Sequence, residues 1–326
     1  MLGGPIGDPE QESADHARLR RLLARPLSPR RLEALQPRIQ GLVDGLLDGL
    51  AAAGSPADFH ALVASRLPLL VVCELLGVPE EQRAHLRIWA DDATRVDQPG
   101  RSRAGLQSMW RLFGGLVERK RWSPGEDLVS DLLAAAATDP SLSDDAIAYL
   151  AAGALFAGTA TVVSTIDRGA LLLLTHPDQA TALIADPGLV VTAVEEIIRF
   201  PSPLDPPQAA RRGGLPRYAA DDIAIGGVTI RRGDFVMFAL QEANLEPDVF
   251  PDPTRFDITR RENPHLAFSH GRHFCIGAPL ARIELQALFA TLFQRFPGLR
   301  LAVPLGKLQP LPDRVAGAVA ELPVAW

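Results

Sequence analysis

A run of 21 residues without a charge, AIAYLAAGALFAGTATVVSTI at positions 146–166, is the strongest constraint on how this chain can fold. As a helix it must hide an apolar surface long enough to cross either a bilayer or a large domain. Acidic Asp144 and Asp145 precede it, and two glycines and several Ser/Thr interrupt it. No cluster of Lys/Arg marks one end, as the cytoplasmic flank of a membrane span usually does. The pattern therefore predicts a helix through the core of a mainly helical protein, with no membrane. Ser143 is placed to cap it and His176-Pro177 to stop it, so the helix runs from Asp144 to about Leu174. A helix of that size is about 45 Å long, the width of a large domain.

Helical periodicity recurs through the first two thirds of the chain. Apolar residues three and four apart predict a helix over 32–50, and residues 67–76 lead to a stop at Gly77-Val78-Pro79. Pro79 opens a helix over 80–96, 97–100 is a loop, and helices follow over 104–120 and 127–137. Pro187 opens another helix that ends at Arg199, before Pro201. The pattern then changes. IAI-GG-VTI at 223–230 reads as a hairpin with a two-residue turn, and 235–240 as a third strand. Residues 243–270 are rich in Pro, Asp and Phe with little periodicity, and so long an irregular stretch in a compact domain is usually functional. Helix returns over 278–296.

The net charge of −6 lacks the basic surface that a nucleic-acid partner requires. Residues 1–12 have neither a basic nor an apolar stretch of signal-peptide type, and the last residues carry no retention or lipidation motif, so a cytoplasmic protein is expected. Two cysteines, Cys73 and Cys275, suit a reducing cytosol rather than a disulfide framework.

The cysteines differ in setting. Cys73 lies in the apolar string LPLLVVCELL and reads as a buried thiol. Cys275 lies in Phe268–Gly277, F-S-H-G-R-H-F-C-I-G, between Gly271 and Gly277 and just ahead of a helix with Pro279 in its first turn. A helix N-terminus presents free N–H groups and the positive end of the macrodipole, which favour a thiolate. Glycines let backbone approach a bulky flat ligand. Three readings follow: a buried free cysteine, a zinc site using His270, His273 and Cys275, or a thiolate-bound haem iron. Zinc needs a fourth ligand, and the chain has no CxxC.

The ten-residue string resembles the haem-binding loop of the cytochrome P450 family, F-x-x-G-x-x-x-C-x-G, and Ala278-Pro279-Leu280-Ala281-Arg282-Ile283-Glu284 is typical of its bacterial members. Ser269 departs from the family's usual glycine after the Phe. The resemblance extends to Glu196-Ile197-Ile198-Arg199, similar to the family's E-x-x-R, and to Arg260, which matches the arginine that completes a structural triad with Glu196 and Arg199. Ala243-Asn244-Leu245-Glu246-Pro247 is similar to the segment opening the family's meander, with Leu245 in place of a usual arginine, which implies a thinner ion-pair network.

By the same resemblance Cys275 is the axial ligand of haem b (iron protoporphyrin IX), in a loop that also carries Phe268, Gly271 and Gly277. His16 and Arg20, Arg217 and His273 stand at the positions that hold the propionates. Ala157-Gly158-Thr159-Ala160-Thr161 resembles the oxygen-binding A-G-x-[DE]-T segment. Thr161 matches the hydroxyl that hands on protons, unless it merely bonds its own helix. Ala160 replaces the usual acid. A flat macrocycle or dioxygen packed at Gly158 would offset the roughly 1 kcal/mol cost of a mid-helix glycine.

The resemblance implies a mainly α fold with small β-sheets. It is one domain over 1–326, with a β-rich portion at about 204–240 and the thiolate loop at 268–277. The segments the family has ahead of its C helix, including most of the larger sheet, have no counterpart, which makes the domain N-terminally truncated. Met1-Leu2 matches an internal Met-Leu of family members, so coding sequence for the missing helices and strands is expected upstream. The implied activity is insertion of one oxygen atom from O2 into a small lipophilic substrate, in natural-product or xenobiotic metabolism. Electrons would come from a ferredoxin-type donor with its reductase, with Arg272 and Arg282 either docking cations or ordinary surface charge. The alternative, motivated by Ala160 and the missing segments, is a haem-binding or protein-docking module with little oxygenase turnover.

Overall fold

A computed structural model of the chain describes residues 11–93, 95, 97–204, 214–311 and 319–326. Met1-Leu2 and residues 205–213, part of the expected β-rich portion, lie outside the described residues. In chain order the elements are α1 (Glu12–Ala24), α2 (Pro29–Ala53), β1 (Ala57–Asp58), α3 (Leu67–Leu76), α4 (Glu80–Ala93), α5 (Pro99–Trp122), α6 (Leu128–Ala136), α7 (Asp144–Thr175), α8 (Pro177–Ala185) and α9 (Val190–Arg199). There follow β2 (Leu215–Tyr218), β3 (Ile223–Ile225), β4 (Val228–Ile230), β5 (Phe235–Phe238), α10 (Leu240–Ala243), α11 (Ala278–Arg295), β6 (Arg300–Leu301) and β7 (Pro323–Ala325).

The uncharged run lies within α7, and the Ser143 hydroxyl accepts the Ala146 N–H at its start. Asp144 and Asp145 in the first turn complement the helix dipole. By length and composition α7 could cross a membrane. It instead packs on α3, α5, α6, α8, α9 and α11, and Leu155, Ile166 and Leu172 are fully buried. Gly169 marks its tightest crossing. A Cβ there would stand 2.4 Å from the ring of Phe289 on α11 and 2.9 Å from Ile197 on α9, so only glycine lets the three helices meet.

Several boundaries move from the expected ones. Helix α5 begins at Pro99, inside the expected loop, because proline suits a first turn. Residues 187–189 form a separate 3-10 turn before α9. The hairpin β3–β4 turns on Gly226 and Gly227, both at positive φ as a tight two-residue turn requires. The third strand is shorter than expected and pairs with β2, not with the hairpin, from Leu215↔Phe238 to Tyr218↔Phe235. It stops at Phe238, and α10 begins at Leu240 with Ala239 as its cap. A second sheet runs β1-β7-β6, all antiparallel.

The irregular stretch after α10 has few backbone hydrogen bonds of its own, so side chains must hold it. Glu196 and Arg199, both with fully buried side chains, form a bidentate pair at 2.7 and 2.8 Å. Glu196 also accepts the Asp257 N–H at 3.1 Å and the Asn263 amide at 3.0 Å, and the Arg260 Nε stands 3.3 Å away. Arg199 directs its remaining N–H groups at the carbonyls of Asn244, Pro253 and Arg255. The Asn244 side chain accepts the Leu266 N–H at 2.7 Å, so the network is connected without an arginine at position 245. Removing one member of such a buried pair costs about 3–5 kcal/mol, because the other charge is left stranded.

The preceding residue, Glu195, reaches the other way. It forms a bidentate pair with Arg282 of α11 at 2.7 and 2.8 Å and lies 3.1 Å from His265 Nε2. Burial pushes the Glu195 carboxyl up, but hydrogen bonds from Arg282 and His265 outweigh it and hold the group down at about 2.

Two predictions follow from this scaffold. Ser269 has φ +63°, the left-handed region that costs a non-glycine residue about 1 kcal/mol. Ser269→Gly should therefore stabilise the fold by about 0.5–1 kcal/mol, read as a higher urea midpoint at unchanged slope. Glu195, with a folded pKa depressed from 4.5 to about 2, adds stability that is complete above the unfolded value and lost as pH falls between the two. Urea titrations across that window should show wild type losing on the order of 3 kcal/mol more than Glu195→Gln.

Candidate active site

The chain approaches α11 through a 3-10 turn at Gly271–His273, with Gly271 at φ +69°. The Cys275 N–H donates to the Phe268 carbonyl at 2.8 Å, which closes the loop and fixes the cysteine two residues before the helix cap Gly277. Its sulfur is exposed, and the exposure is to a cavity of about 940 Å³. Ala157, Gly158 and Thr161 of α7 form another wall of that cavity. Leu19, Leu23 and Leu27 from α1 and the segment after it, with Val72 and Leu75 from α3, make the rest largely apolar.

The candidate cations gather at one end. The His16 and His273 rings lie 4.2 Å apart, and the Arg20 guanidinium donates to the Phe274 carbonyl at 2.7 Å. Arg217 and His273 both line the cavity. Burial first, then the neighbouring charges of His16 and Arg272, hold the His273 imidazole below its ordinary value. Glu12 counters part of this positive charge through Arg272, at 2.9 Å.

Two contacts on α7 bear on its expected residues. Gly158 lines the cavity, but a Cβ on it would meet Val72 Cγ2 at 2.9 Å. Close packing of α3 is therefore one reason for the glycine, beside any ligand. The Thr161 hydroxyl donates to the Ala157 carbonyl at 2.9 Å, the ordinary back-bond of a helical threonine. Thr161 nonetheless faces the cavity.

The expected docking cations are also engaged within the chain. Arg272 donates to Glu12 and Ser13 of α1. Arg282 is bound by Glu195, and its guanidinium lies 4.7 Å from the centre of the Phe268 ring. Among the described residues no three His, Cys, Asp or Glu side chains gather as a metal cluster, so His270 does not join His273 and Cys275. Burial pushes the Cys73 thiol up to about 12, the inert cysteine of the two.

Nothing in the motifs singles out Glu195 or His265. The doubled acid at 195–196 was the available signal, since adjacent helix positions point in different directions and reach different partners. Glu284, fully buried on α11, has a carboxyl that burial raises well above its ordinary range.

The donor set fits a haem. One exposed sulfur lies in a broad apolar cavity between two helices, with imidazole and guanidinium groups at one end for two carboxylates.

Known proteins agree with this geometry. The family model for cytochrome P450 matches residues 117–300. The chain is 40% identical over 319 residues to the cytochrome P450 monooxygenase PikC of Streptomyces venezuelae, covering 97% of this chain and 75% of that one. It is 38% identical over 314 residues to the mycinamicin IV hydroxylase/epoxidase of Micromonospora griseorubida, covering 96% and 78%. The crystal structure of the LnmA cytochrome P450 hydroxylase from Streptomyces atroolivaceus superposes with a TM-score of 0.88 at 38% identity, over 96% of this chain and 79% of that one. With fold, cavity and sequence in agreement, the chain belongs to the cytochrome P450 family, among its bacterial monooxygenases.

Proposed function

We propose that the chain holds haem b through Cys275 and inserts one oxygen atom from O2 into a small lipophilic substrate. The observation that carries this reading is the exposed Cys275, set in an apolar cavity that Ala157, Gly158 and Thr161 also line. When bound there, a thiolate-ligated haem supplies the reductive cleavage of dioxygen, one atom going to the substrate and the other to water. Two electrons and two protons balance that reaction, the electrons from a ferredoxin-type donor and its reductase.

The chain's own residues have four tasks. Cys275 supplies the thiolate, and the α11 N-terminus behind it offers unsatisfied N–H groups. His16, Arg20, Arg217 and His273 pair with the propionates. The leucines of α1 and the α3 side chains Val72 and Leu75 exclude water and select an apolar substrate. Thr161 can pass a proton only by turning its hydroxyl away from Ala157 O, and with Ala160 behind it the proton must come from water. Relatives named for mycinamicin IV and pentalenolactone support a substrate from natural-product metabolism. Two free cysteines, one buried and one exposed, suit a cytoplasmic location without a membrane.

The Thr161 back-bond and Ala160 favour a second reading, a haem-binding module with little turnover. One experiment separates the two. The chain is reconstituted with haem and a surrogate ferredoxin system, and the reduced, carbon-monoxide-bound spectrum, NADPH use and product are followed. We expect a strongly red-shifted Soret band that Cys275→Ala abolishes, and product in proportion to NADPH. The same band in Cys275→Ala defeats the ligand assignment, and NADPH use without product for every ligand tried selects the second reading.

A further inference from the structure

Three side chains converge behind the sulfur loop, and none of them lines the cavity. The Arg282 guanidinium stands 4.7 Å from the centre of the Phe268 ring, fixed there by two hydrogen bonds to Glu195. His265 approaches Glu195 at 3.1 Å, and its own ring lies 5.9 Å from the same phenylalanine. Phe268 connects this cluster to the site, because its ring lines the cavity and its carbonyl accepts the Cys275 N–H. The side chains of Arg282, Glu195 and His265 are only 29%, 21% and 3% exposed, so water screens their charges weakly.

We propose that Glu195, His265 and Arg282 form a positioning network for the axial thiolate: they fix the Phe268 ring and hold one positive charge behind Cys275, moderating the electron density that the sulfur gives to iron. The proposal rests on the haem-thiolate reading. It assigns these residues a role distinct from that of Glu196 and Arg199, which anchor the chain further upstream. The Arg282 guanidinium is held above its ordinary value chiefly by its hydrogen bond to Glu195, against burial, with the Glu195 charge and then negative charge on Cys275 as smaller contributions. Reducing the bound iron adds negative charge next to the sulfur. A fixed cation there favours the reduced form, and a fixed anion opposes it.

The test is a spectroscopic redox titration of the haem-loaded chain, with each variant's reduced, carbon-monoxide-bound spectrum recorded alongside. At a fixed potential Arg282→Gln should lower the ratio of reduced to oxidised protein about tenfold, which for one electron is about 59 mV. Arg282→Lys keeps the charge and should stay within about twofold of wild type. Glu195→Gln removes the anion, leaves a hydrogen-bond partner for Arg282, and should not lower the ratio. A general loosening of the loop would instead lower the ratio in Arg282→Gln and Glu195→Gln alike. That result, or a change of less than about twofold in Arg282→Gln, overturns the proposal. If Arg282→Gln does not retain haem, the other two variants decide, and a fall in both counts against it. A wild-type chain without the red-shifted band defeats the haem-thiolate reading itself, so the two failures are distinguishable.

Discussion

Presenting one sulfur atom at the wall of an apolar cavity requires irregular backbone, and irregular backbone cannot hold itself. Here the holding falls to two adjacent carboxylates on the last turns of α9. Glu196 points toward the chain after α10 and gathers Arg199, Asp257, Arg260 and Asn263. Glu195 points toward α11 and gathers Arg282 and His265. Between them they clamp both ends of the segment that leads into Cys275. Consecutive helix positions are about 100° apart, so neighbouring side chains can serve opposite sides of one loop.

The two carboxylates work under different conditions. Glu196 and Arg199 are fully out of water, so their attraction must offset a large desolvation cost; the remaining Arg199 N–H groups go to backbone carbonyls, and Glu196 accepts one backbone N–H and the Asn263 amide beside the Arg260 guanidinium. The pair specifies a conformation more than it adds net stability. Glu195 keeps some contact with solvent and has an unusually low pKa, so its salt bridge is both favourable and sensitive to acid. The first fixes the path of the chain. The second fixes the immediate surroundings of the sulfur. Ser269 shows the local tension in that arrangement, since a side chain is forced into backbone geometry that glycine adopts freely.

Much of this was legible in the sequence wherever the determinant was local. The charge-free run and Ser143 gave α7 almost to its last residue, and Gly226-Gly227 gave the hairpin with its register. The glycines around Cys275 and the helix after it left three readings open, and the resemblance of the string Phe268–Gly277 to the family's haem-binding loop singled out one of them. What the sequence did not disclose depends on contacts between distant positions. Glu195 and Arg282 are 87 residues apart, and neither carries a periodic signal. Val72 opposite Gly158, and β2 rather than the hairpin as the partner of β5, are likewise products of packing. The two presumed docking arginines look the same in sequence as free surface cations, and only the fold shows what neutralises them.

The wall formed by α7 makes the same point about polar groups. Thr159, Thr161 and Thr165 each donate a hydroxyl to the carbonyl four residues earlier. A threonine bonded in this way presents mainly its methyl group to its surroundings, so a helix rich in hydroxyls can still line an apolar cavity. The same bond sets the cost of using Thr161 for proton transfer, since turning it outward gives up one hydrogen bond, a net cost of about 1 kcal/mol. That is small enough to be repaid by a single ordered water bonded to the freed hydroxyl. Under the proposed function, with alanine at position 160, water would also be the proton source. On that reading, the residues that keep this wall apolar at rest and those that carry a proton during turnover need not be different ones: Thr161 would serve both roles by rotating about one bond.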